Sequence, residues 1–386
     1  MKIVHIADTH LGYSAYNKRA ENGYNQREED IVNSFKEAVK RIIDLNPSAV
    51  LHSGDLFDSV RPTNRIVSIG ISELLKIYNA GIPLVLISGN HETPKQLYTG
   101  SIYNIFEALD LDKSHFKIIY KDKYETFEID GLTVHAIPQC TTDAIFRKEL
   151  DIVHNVKLNK DVKNVLMLHT GVTGMKEFSH GESNELLVDY EWLKDSKMDY
   201  IALGHYHNYV KVVGNAWFSG SSERMSFNEV GPEKGFLIVD LSGETRTELI
   251  RVGTRPMINL PPIDATDKDS VVLFEKIINL IEKENPSGKI IRMTVRNIPQ
   301  HVMNALDTKK IREAAKDAVH FEPKYEKLNE EGKLEEVKIS SGGIREEFRS
   351  FLDASSRMDE KDREYFFQQW AQEYDKVAKE DEEQKQ

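Results

Sequence analysis

The segment Lys2-Ile3-Val4-His5-Ile6-Ala7-Asp8-Thr9-His10-Leu11-Gly12 is a short apolar run that halts on a carboxylate and an imidazole two residues apart. Such a run, bounded by turn residues, reads as a buried strand. The i, i+2 spacing at its end lets Asp8 and His10 point the same way. The pattern recurs along the chain. Ala49–His52 leads into Gly54-Asp55-Leu56-Phe57, and Leu84–Ile87 into Gly89-Asn90-His91-Glu92. Val165–His169 ends on a histidine before Thr170-Gly171, and Tyr200–Leu203 runs into Gly204-His205-Tyr206-His207. Between the early strands lie amphipathic helices, Arg27–Leu45 with Ile31, Phe35, Val39 and Ile42 in register, then Asn64–Asn79. Strands alternating with helices of this length predict an α/β layered domain. Leu132–Ile137, Tyr209–Val213 and Gly235–Leu241 add strands in a region with less helix, which fits a sandwich of two sheets flanked by helices.

Five strands thus deliver polar groups just past their carboxyl ends, where open α/β sheets place their sites. Asp8, His10, Asp55, Asn90, His169, His205 and His207 make seven oxygen and nitrogen ligands with no sulfur. For two ions to have four ligands each, one carboxylate must bridge, and Asp55, alone in its loop, is the natural candidate. Two ions ~3.5–4 Å apart clamp the attacking and leaving oxygens of an in-line phosphoryl displacement. Imidazole mixed with carboxylate suits Mn, Fe, Zn or Ni better than Ca or Mg. A lone Asp-x-His at a strand end is ordinarily a surface turn; five such ends in this order are not. His91, beside Asn90, is read as the group that protonates the leaving alkoxide, for which an imidazole has a suitable pKa. His52, inside its strand, is read as a core histidine.

At 386 residues, 40% hydrophobic and 30% charged, the chain suits one large core plus smaller modules. No apolar run approaches the ~20 residues needed to cross a bilayer, and the start lacks the layout of a signal peptide. Cys140 is the only cysteine, so a reducing cytoplasm is the expected setting and no membrane is involved. A net charge of −12 argues against nucleic-acid binding through the whole surface. Residues 323–386 hold 12 basic against 18 acidic side chains, half of that excess in a sixth of the chain.

Gly253-Thr254-Arg255-Pro256 and Pro261-Pro262 mark a break after a first domain of residues 1–252. Residues 256–322 read as a small α+β module: strand Met257–Asn259, helix Val271–Glu284, strand Ile290–Val295, helix Thr308–Val319. Residues 323–343, ending in Ser340-Ser341-Gly342-Gly343, read as a linker. A C-terminal helix pair occupies 344–379, with Ile344, Phe348, Phe351 and Leu352 lining one helix and Phe366, Phe367, Trp370, Tyr374 and Val377 the other. Residues 380–386 read as an acidic tail that is expected to be disordered.

Asp-x-His, Gly-Asp, Gly-Asn-His, His and Gly-His-x-His in this order resemble the calcineurin-like metallophosphoesterase superfamily over roughly residues 1–220. The pattern is specific for fold and metal site but is shared by phosphatases, cyclic-nucleotide phosphodiesterases and nucleases. The finer texture is similar to the archaeal-type nuclease of the meiotic-recombination-eleven family, whose bacterial branch is called SbcD. It lies in His10-Leu11-Gly12-Tyr13, Arg27-Glu28-Glu29-Asp30, Gly54-Asp55-Leu56-Phe57 with Arg61-Pro62, and Gly89-Asn90-His91-Glu92. Ala202-Leu203-Gly204-His205-Tyr206-His207, Ser219-Gly220-Ser221-Ser222-Glu223-Arg224 and Lys234-Gly235-Phe236 continue it.

The resemblance implies two Mn²⁺ per subunit. Asp8, His10, Asp55 and His207 would hold one, Asp55, Asn90, His169 and His205 the other, and His91 would be the proton donor. It implies 3′–5′ exonuclease activity on duplex DNA ends and endonuclease activity on single strands, in double-strand-break repair. Residues 256–322 would be the capping domain. The helix pair would dock on the coiled-coil base of an SMC-like ABC-type ATPase through Phe348, Phe351, Leu352, Phe366, Phe367, Trp370 and Tyr374. A homodimer would form through helices of the first domain, where Asn64–Asn79 offers Ile66, Val67, Ile71, Leu74 and Leu75, and Ser101–Leu109 offers Ile102, Ile105 and Phe106. Tyr13, Tyr16, Asn17, Lys18, Arg19 and Arg61, in loops beside the metals, would meet the DNA backbone without reading sequence. One departure stands out: some members carry a second histidine just after Gly-Asp-Leu-Phe, where this chain has Asp58. The competing reading is a small-molecule phosphodiesterase or phosphomonoesterase of the same fold, which would have little use for the C-terminal segments.

Overall fold

Strand β1 (Lys2–Ile6) is buried on both faces: Ile3 lies in the core between two sheets, and Val4 and Ile6 in a core against helices. The structure is a computed structural model and describes residues 1–96, 99–109, 111–174, 185–327 and 363–371. Strands β2 (Ala49–Ser53), β3 (Leu84–Ile87), β4 (Phe116–Ile119), β13 (Gly235–Asp240) and β14 (Arg246–Arg251) join β1 in a six-stranded sheet of order β14-β13-β1-β2-β3-β4. From β1 to β4 the neighbours run parallel, while β13 is antiparallel to β1. The second sheet contains β5 (Glu125–Ile129), β6 (Leu132–Ile137), β7 (Lys163–His169), β10 (Tyr200–Gly204), β11 (Val210–Val213) and β12 (Ala216–Phe218), in the order β11-β12-β10-β7-β6-β5. A small ribbon pairs β8 (Gly171–Thr173) with β9 (Leu187–Asp189).

Helices α1 (Gln26–Leu45), α2 (Asn64–Asn79) and α3 (Asn104–Glu107) cover the outer face of the first sheet, and α4 (Asp143–Asn155) and α5 (Tyr190–Asp195) that of the second. Helix α1 shows why these segments are helical. The Asn25 side chain accepts from the amides of Arg27 and Glu28, and Glu28 and Glu29 sit in the first turn, where the helix dipole favours anions. Its Ile31, Phe35, Val39 and Ile42 face is buried, and Asn46 ends it in left-handed backbone. The result is the expected two-sheet sandwich flanked by helices.

The chain divides into two compact units. One comprises Met1–Leu260, Ile278–Met293 and Lys309–Glu322; the other comprises Pro261–Ile277, Thr294–Thr308 and Pro323–Gln386. Helices α6 (Ser270–Glu284), α7 (Gln300–Ala305) and α8 (Thr308–Ala314) and strands β15 (Met257–Asn259), β16 (Ile263–Asp264), β17 (Ile290–Ile298) and β18 (His320–Lys327) fill the later part of the chain. In the first unit β15 pairs with the start of β17, and Phe227, Met257, Ile290 and Val319 form an apolar cluster. In the second, Ile263 and Asp264 pair with Val295 and Arg296. Residues 363–371 form a helix on which Tyr365 and Phe366 are exposed. Phe348, Phe351, Leu352 and Tyr374 lie outside the described residues.

Two histidines are locked between the sheets and helices below the site. His5 Nδ1 lies 2.8 Å from the Tyr200 hydroxyl, and His52 Nε2 lies 3.1 Å from Thr9 Oγ1. Burial pushes each imidazole down to about 3. An unfolded chain protonates histidine near pH ~6.5, so the stability contributed by neutral His5 is full above that pH and is lost as pH falls toward 3, at ~1.4 kcal/mol per pH unit. The stability difference between wild type and His5→Gln is therefore expected to narrow by about 2 kcal/mol from pH 6.5 to 5 in urea unfolding. A difference that stays constant over that range would remove His5 from the acid sensitivity of the fold.

Candidate metal centre

Parallel strands from both sheets end at one place. Asp8 and His10 follow β1, Asp55 follows β2, Asn90 follows β3, His169 closes β7, and His205 and His207 follow β10. The backbone turns sharply there: Asp8 (φ 52°), His10 (φ 44°), Asp55 (φ 53°) and His205 (φ 103°) all lie in left-handed territory. Such residues cost roughly 1–3 kcal/mol each and persist only where the surroundings over-determine them. Here the Asp8 amide donates to the Gly54 carbonyl (3.1 Å), that of His10 to Asp55 (3.0 Å), and that of His205 to the Asp8 carboxylate (2.9 Å). Two glycines permit the convergence. A Cβ on Gly54 would collide with the His169 ring, and one on Gly204 with the Ser53 carbonyl.

All seven expected ligands meet in this pocket of side chains. Ligating atoms of Asp8, His10 and His207 lie within 4.8 Å of one another, as do those of Asp8, Asp55 and His169, and those of His10, Asp55 and His91. Asp55 Oδ2 is 3.2 Å from His169 Nε2 and 3.6 Å from His10 Nε2, which puts it between two groups of ligands. On the far side, Asn90 Oδ1 is 2.9 Å from His169 Nε2 and 3.2 Å from His205 Nδ1.

The electrostatics call for cations. Asp8 and Asp55 are buried, and among the described residues no lysine or arginine lies within ion-pair distance of either. His10 Nε2 is buried with no hydrogen-bond partner. Buried charges and bare polar atoms are costly unless something pairs with them. Without a metal, imidazoles carry that task. Burial opposes ionisation of Asp55, but His169 and His10 outweigh it and hold the carboxyl well below the usual range. Burial likewise lowers His169, but Asp55 and Asp8 overcome it and push the imidazole up to about 9. Two divalent ions would satisfy both carboxylates and the bare nitrogen, so the residues present fit a dinuclear centre.

A surrounding ring of groups orients the ligands, as partners behind metal-binding histidines commonly do. His10 Nδ1 donates to Asp58 Oδ1 (3.1 Å), which leaves Nε2 bare toward the centre. His91 Nδ1 donates to the Asp58 carbonyl (3.1 Å) and its amide to Asp55 Oδ1 (3.0 Å). His169 Nδ1 donates to the Ser53 carbonyl (2.9 Å). Glu185 Oε1 lies 2.9 Å from His205 Nε2, leaving Nδ1 on the Asn90 side. Glu229 Oε1 lies 3.3 Å from His207 Nδ1, and its other oxygen pairs with the buried ammonium of Lys234. Glu92 accepts from the amides of Gly89 (3.1 Å) and Phe57 (2.7 Å) and from the Tyr103 hydroxyl, tying the Asn90 loop to the Asp55 loop. Burial, then Asp55, raises the Glu92 carboxyl to about 7. None of these carboxylates was assigned a role from sequence. Asp58 and Glu92 stand within the ligand motifs and were open to it. Glu185 and Glu229 come from distant segments and carried no signal.

Residues 1–209 match the family model described as calcineurin-like phosphoesterase. A protein of Methanocaldococcus jannaschii named DNA double-strand break repair protein Mre11 is 31% identical over 299 residues, spanning 73% of this chain and 74% of that relative. The chain belongs to the Mre11 family of calcineurin-like phosphoesterases. Other Mre11 relatives include proteins of the same name from Methanococcus maripaludis (32% identical over 265 residues, 63% of this chain and 64% of the relative) and Thermoplasma acidophilum (24% over 366 residues, 90% and 89%). A solved dimetal phosphatase from Danio rerio aligns over 64% of this chain and 98% of its own at 12% identity, with a TM-score of 0.37, a likeness too slight to carry weight.

The loop residues that the Mre11 resemblance assigned to DNA divide into two sets. Asn17, Lys18, Arg19 and Arg61 are exposed. Tyr13 and Tyr16 are half-buried: the Tyr13 hydroxyl donates to the Met225 carbonyl (2.7 Å), and the Tyr16 ring stacks on His320. Among the described residues no helix is long and apolar enough to cross a membrane.

Proposed function

We propose that this chain is a Mn²⁺-dependent DNA nuclease of double-strand-break repair, acting on duplex ends as a 3′–5′ exonuclease and on single strands as an endonuclease. The observation that carries the reading is the convergence of seven oxygen and nitrogen groups from five strand ends, in a chain of the Mre11 family. Asp8, His10, Asp55 and His207 would hold one ion, and Asp55, Asn90, His169 and His205 the other. Bound there, the two ions would supply a clamp on the phosphate and a water acidified toward neutral pH.

The protein's own groups do the rest. His91 is fixed through Nδ1 by the Asp58 carbonyl, and its side chain is about a third exposed at the edge of the centre. Its protonated ring can therefore hand the Nε2 proton to the departing alkoxide. The buried carboxylates Glu185 and Glu229 and the Asp58 side chain keep their histidines in one orientation. Asn17, Lys18, Arg19 and Arg61 would meet backbone phosphates. In the same reading, Phe366, Phe367 and Trp370 on the 363–371 helix would meet an SMC-like ABC-type ATPase. The open groove between α2 and α3, lined by Val67, Ile71, Leu75, Ile102 and Ile105, would form the homodimer face.

The test is nucleotide release from linear duplex DNA by the purified protein with Mn²⁺, run beside a small aryl phosphodiester and beside His91→Ala. The variant is expected to lose roughly 10²–10⁴-fold in kcat, while bound metal per chain stays at the wild-type level. An equal loss of metal would remove the proton-donor role. Turnover of the ester with no DNA cleavage, even with the ATPase added, would overturn the nuclease in favour of a small-molecule phosphodiesterase.

A further inference from the structure

Within the first unit, two side chains from β17 and β18 reach loops that belong to the metal centre. The His320 ring lies flat on Tyr16, with centroids 3.7 Å apart and planes 10° from parallel. The Arg292 guanidinium lies over the Phe227 ring at 4.0 Å and is paired with Glu322 at 3.2 Å. Phe227 opens the short 3-10 turn Phe227–Glu229, and Glu229 is the carboxylate that faces His207. Tyr16 is six residues beyond His10, in the loop that carries Asn17, Lys18 and Arg19. Both contacts belong to one apolar cluster, in which Tyr16 and Val230 pack on Phe227, Met257, Ile290 and Val319.

We propose that His320 and Arg292 are positioning residues of the nuclease, His320 fixing the loop that meets DNA and Arg292 fixing the turn that aims His207. The loop needs such a brace. Tyr16 sits at φ 60°, a left-handed conformation that costs a bulky residue on the order of 1–3 kcal/mol. Asn25 Nδ2, at the cap of α1, donates to the carbonyls of Ala15 (3.1 Å) and Tyr16 (2.9 Å), which holds the loop backbone to that helix, while the Tyr16 ring is held by His320 and the apolar cluster. The Tyr13 hydroxyl bond to Met225 ties its start to the segment just before the Phe227 turn. The two braces therefore act on neighbouring stretches of chain from two paired strands. Arg292 gains where a lysine would not, because a planar guanidinium covers a ring face while its edge serves a carboxylate.

The DNA arm of this inference rests on the nuclease reading, so the test separates the two. In the full chain, His320→Ala is expected to speed amide hydrogen exchange in residues 13–19 by roughly tenfold. It should raise KM for linear duplex DNA several-fold, with much less effect on the small aryl phosphodiester. His320→Phe, which keeps a flat ring on Tyr16, should restore both. Arg292→Ala is expected to weaken Mn²⁺ binding in equilibrium dialysis by roughly tenfold, the lower end of what loss of a ligand-orienting group does, and Arg292→Lys should recover only part of it. If the wild-type protein leaves DNA intact, the nuclease reading fails while exchange and metal binding still judge the braces. Unchanged exchange in His320→Ala, a Phe variant no better than Ala, or unaltered metal binding in Arg292→Ala would overturn the proposal.

Discussion

Asp55→Ala is expected to reduce DNA hydrolysis by roughly 10³-fold or more, because on the proposed ligand assignment it removes the one group that would serve both ions of a two-metal displacement. Three effects combine at this side chain. Its Oδ2 faces His169 and His10, its Oδ1 accepts the amide of His91, and its left-handed backbone suits Asp or Asn better than Ala. Metal content should fall from two ions per chain to fewer than one in dialysis against Mn²⁺. Asp55→Asn is the informative partner: it keeps the shape and the His91 amide bond but removes the charge. It should fold as well as wild type yet bind metal much more weakly. A variant in which Asp55→Ala retains two ions and near-normal turnover would show that Asp55 does not bridge.

The second large effect is on stability. Glu229 and Lys234 are both buried, and the lysine ammonium also donates to the His207 carbonyl (2.6 Å) and Ser221 Oγ (3.0 Å). Burial disfavours ionised Glu229, but His207 and Lys234 hold its carboxyl well below the ordinary range. Burial lowers the Lys234 ammonium, with Glu229 opposing. Glu229→Ala strands that ammonium in the interior, which costs about 3–5 kcal/mol. It also frees the amides of Met225 and Ser226, each 3.2 Å from the carboxylate, and the His207 ring. Calorimetry should therefore show a large fall in Tm, and the metal-binding isotherm should weaken with it. Adding Lys234→Met to Glu229→Leu should recover much of the stability but not the metal affinity, since the side chain at 229 then offers His207 Nδ1 no acceptor. A Glu229→Ala protein within 1 kcal/mol of wild type would contradict this account.

How much of this was legible beforehand depended on how local each signal was. The strands that carry the candidate ligands are readable because a buried strand is a short apolar run and the polar groups follow at once: Leu84–Ile87 falls where expected, and β1, β2 and β10 within a residue. Strand β14 is not, because the exposed charges of Arg246, Glu248 and Arg251 break the apolar run. Helix α4 is equally hard to read: Phe146, Leu150 and Val153 lie on its buried face, but the charged residues between them dilute the pattern. The helix expected over Thr308–Val319 stops at Ala314, because the Val319 amide is drawn to the Lys289 carbonyl (2.8 Å), a tertiary demand invisible to periodicity. The same limit applied at the site. The candidate ligands stand out at strand ends, whereas Glu185 and Glu229 look like ordinary surface acids until the fold brings them to His205 and His207.

The left-handed backbone at Asp8 and Asp55 also constrains how this lineage can change. A descendant released from catalysis would still need residues that tolerate that conformation, and Asn and Gly tolerate it far better than Ala or any branched side chain. Decay of the chemistry would thus be recorded as carboxamide or glycine at positions 8 and 55, with the fold kept. Where the replacement is Asn, inactive members would differ from active ones by a single heavy-atom exchange at each position, and a search that accepts Asp or Asn alike would count them as nucleases.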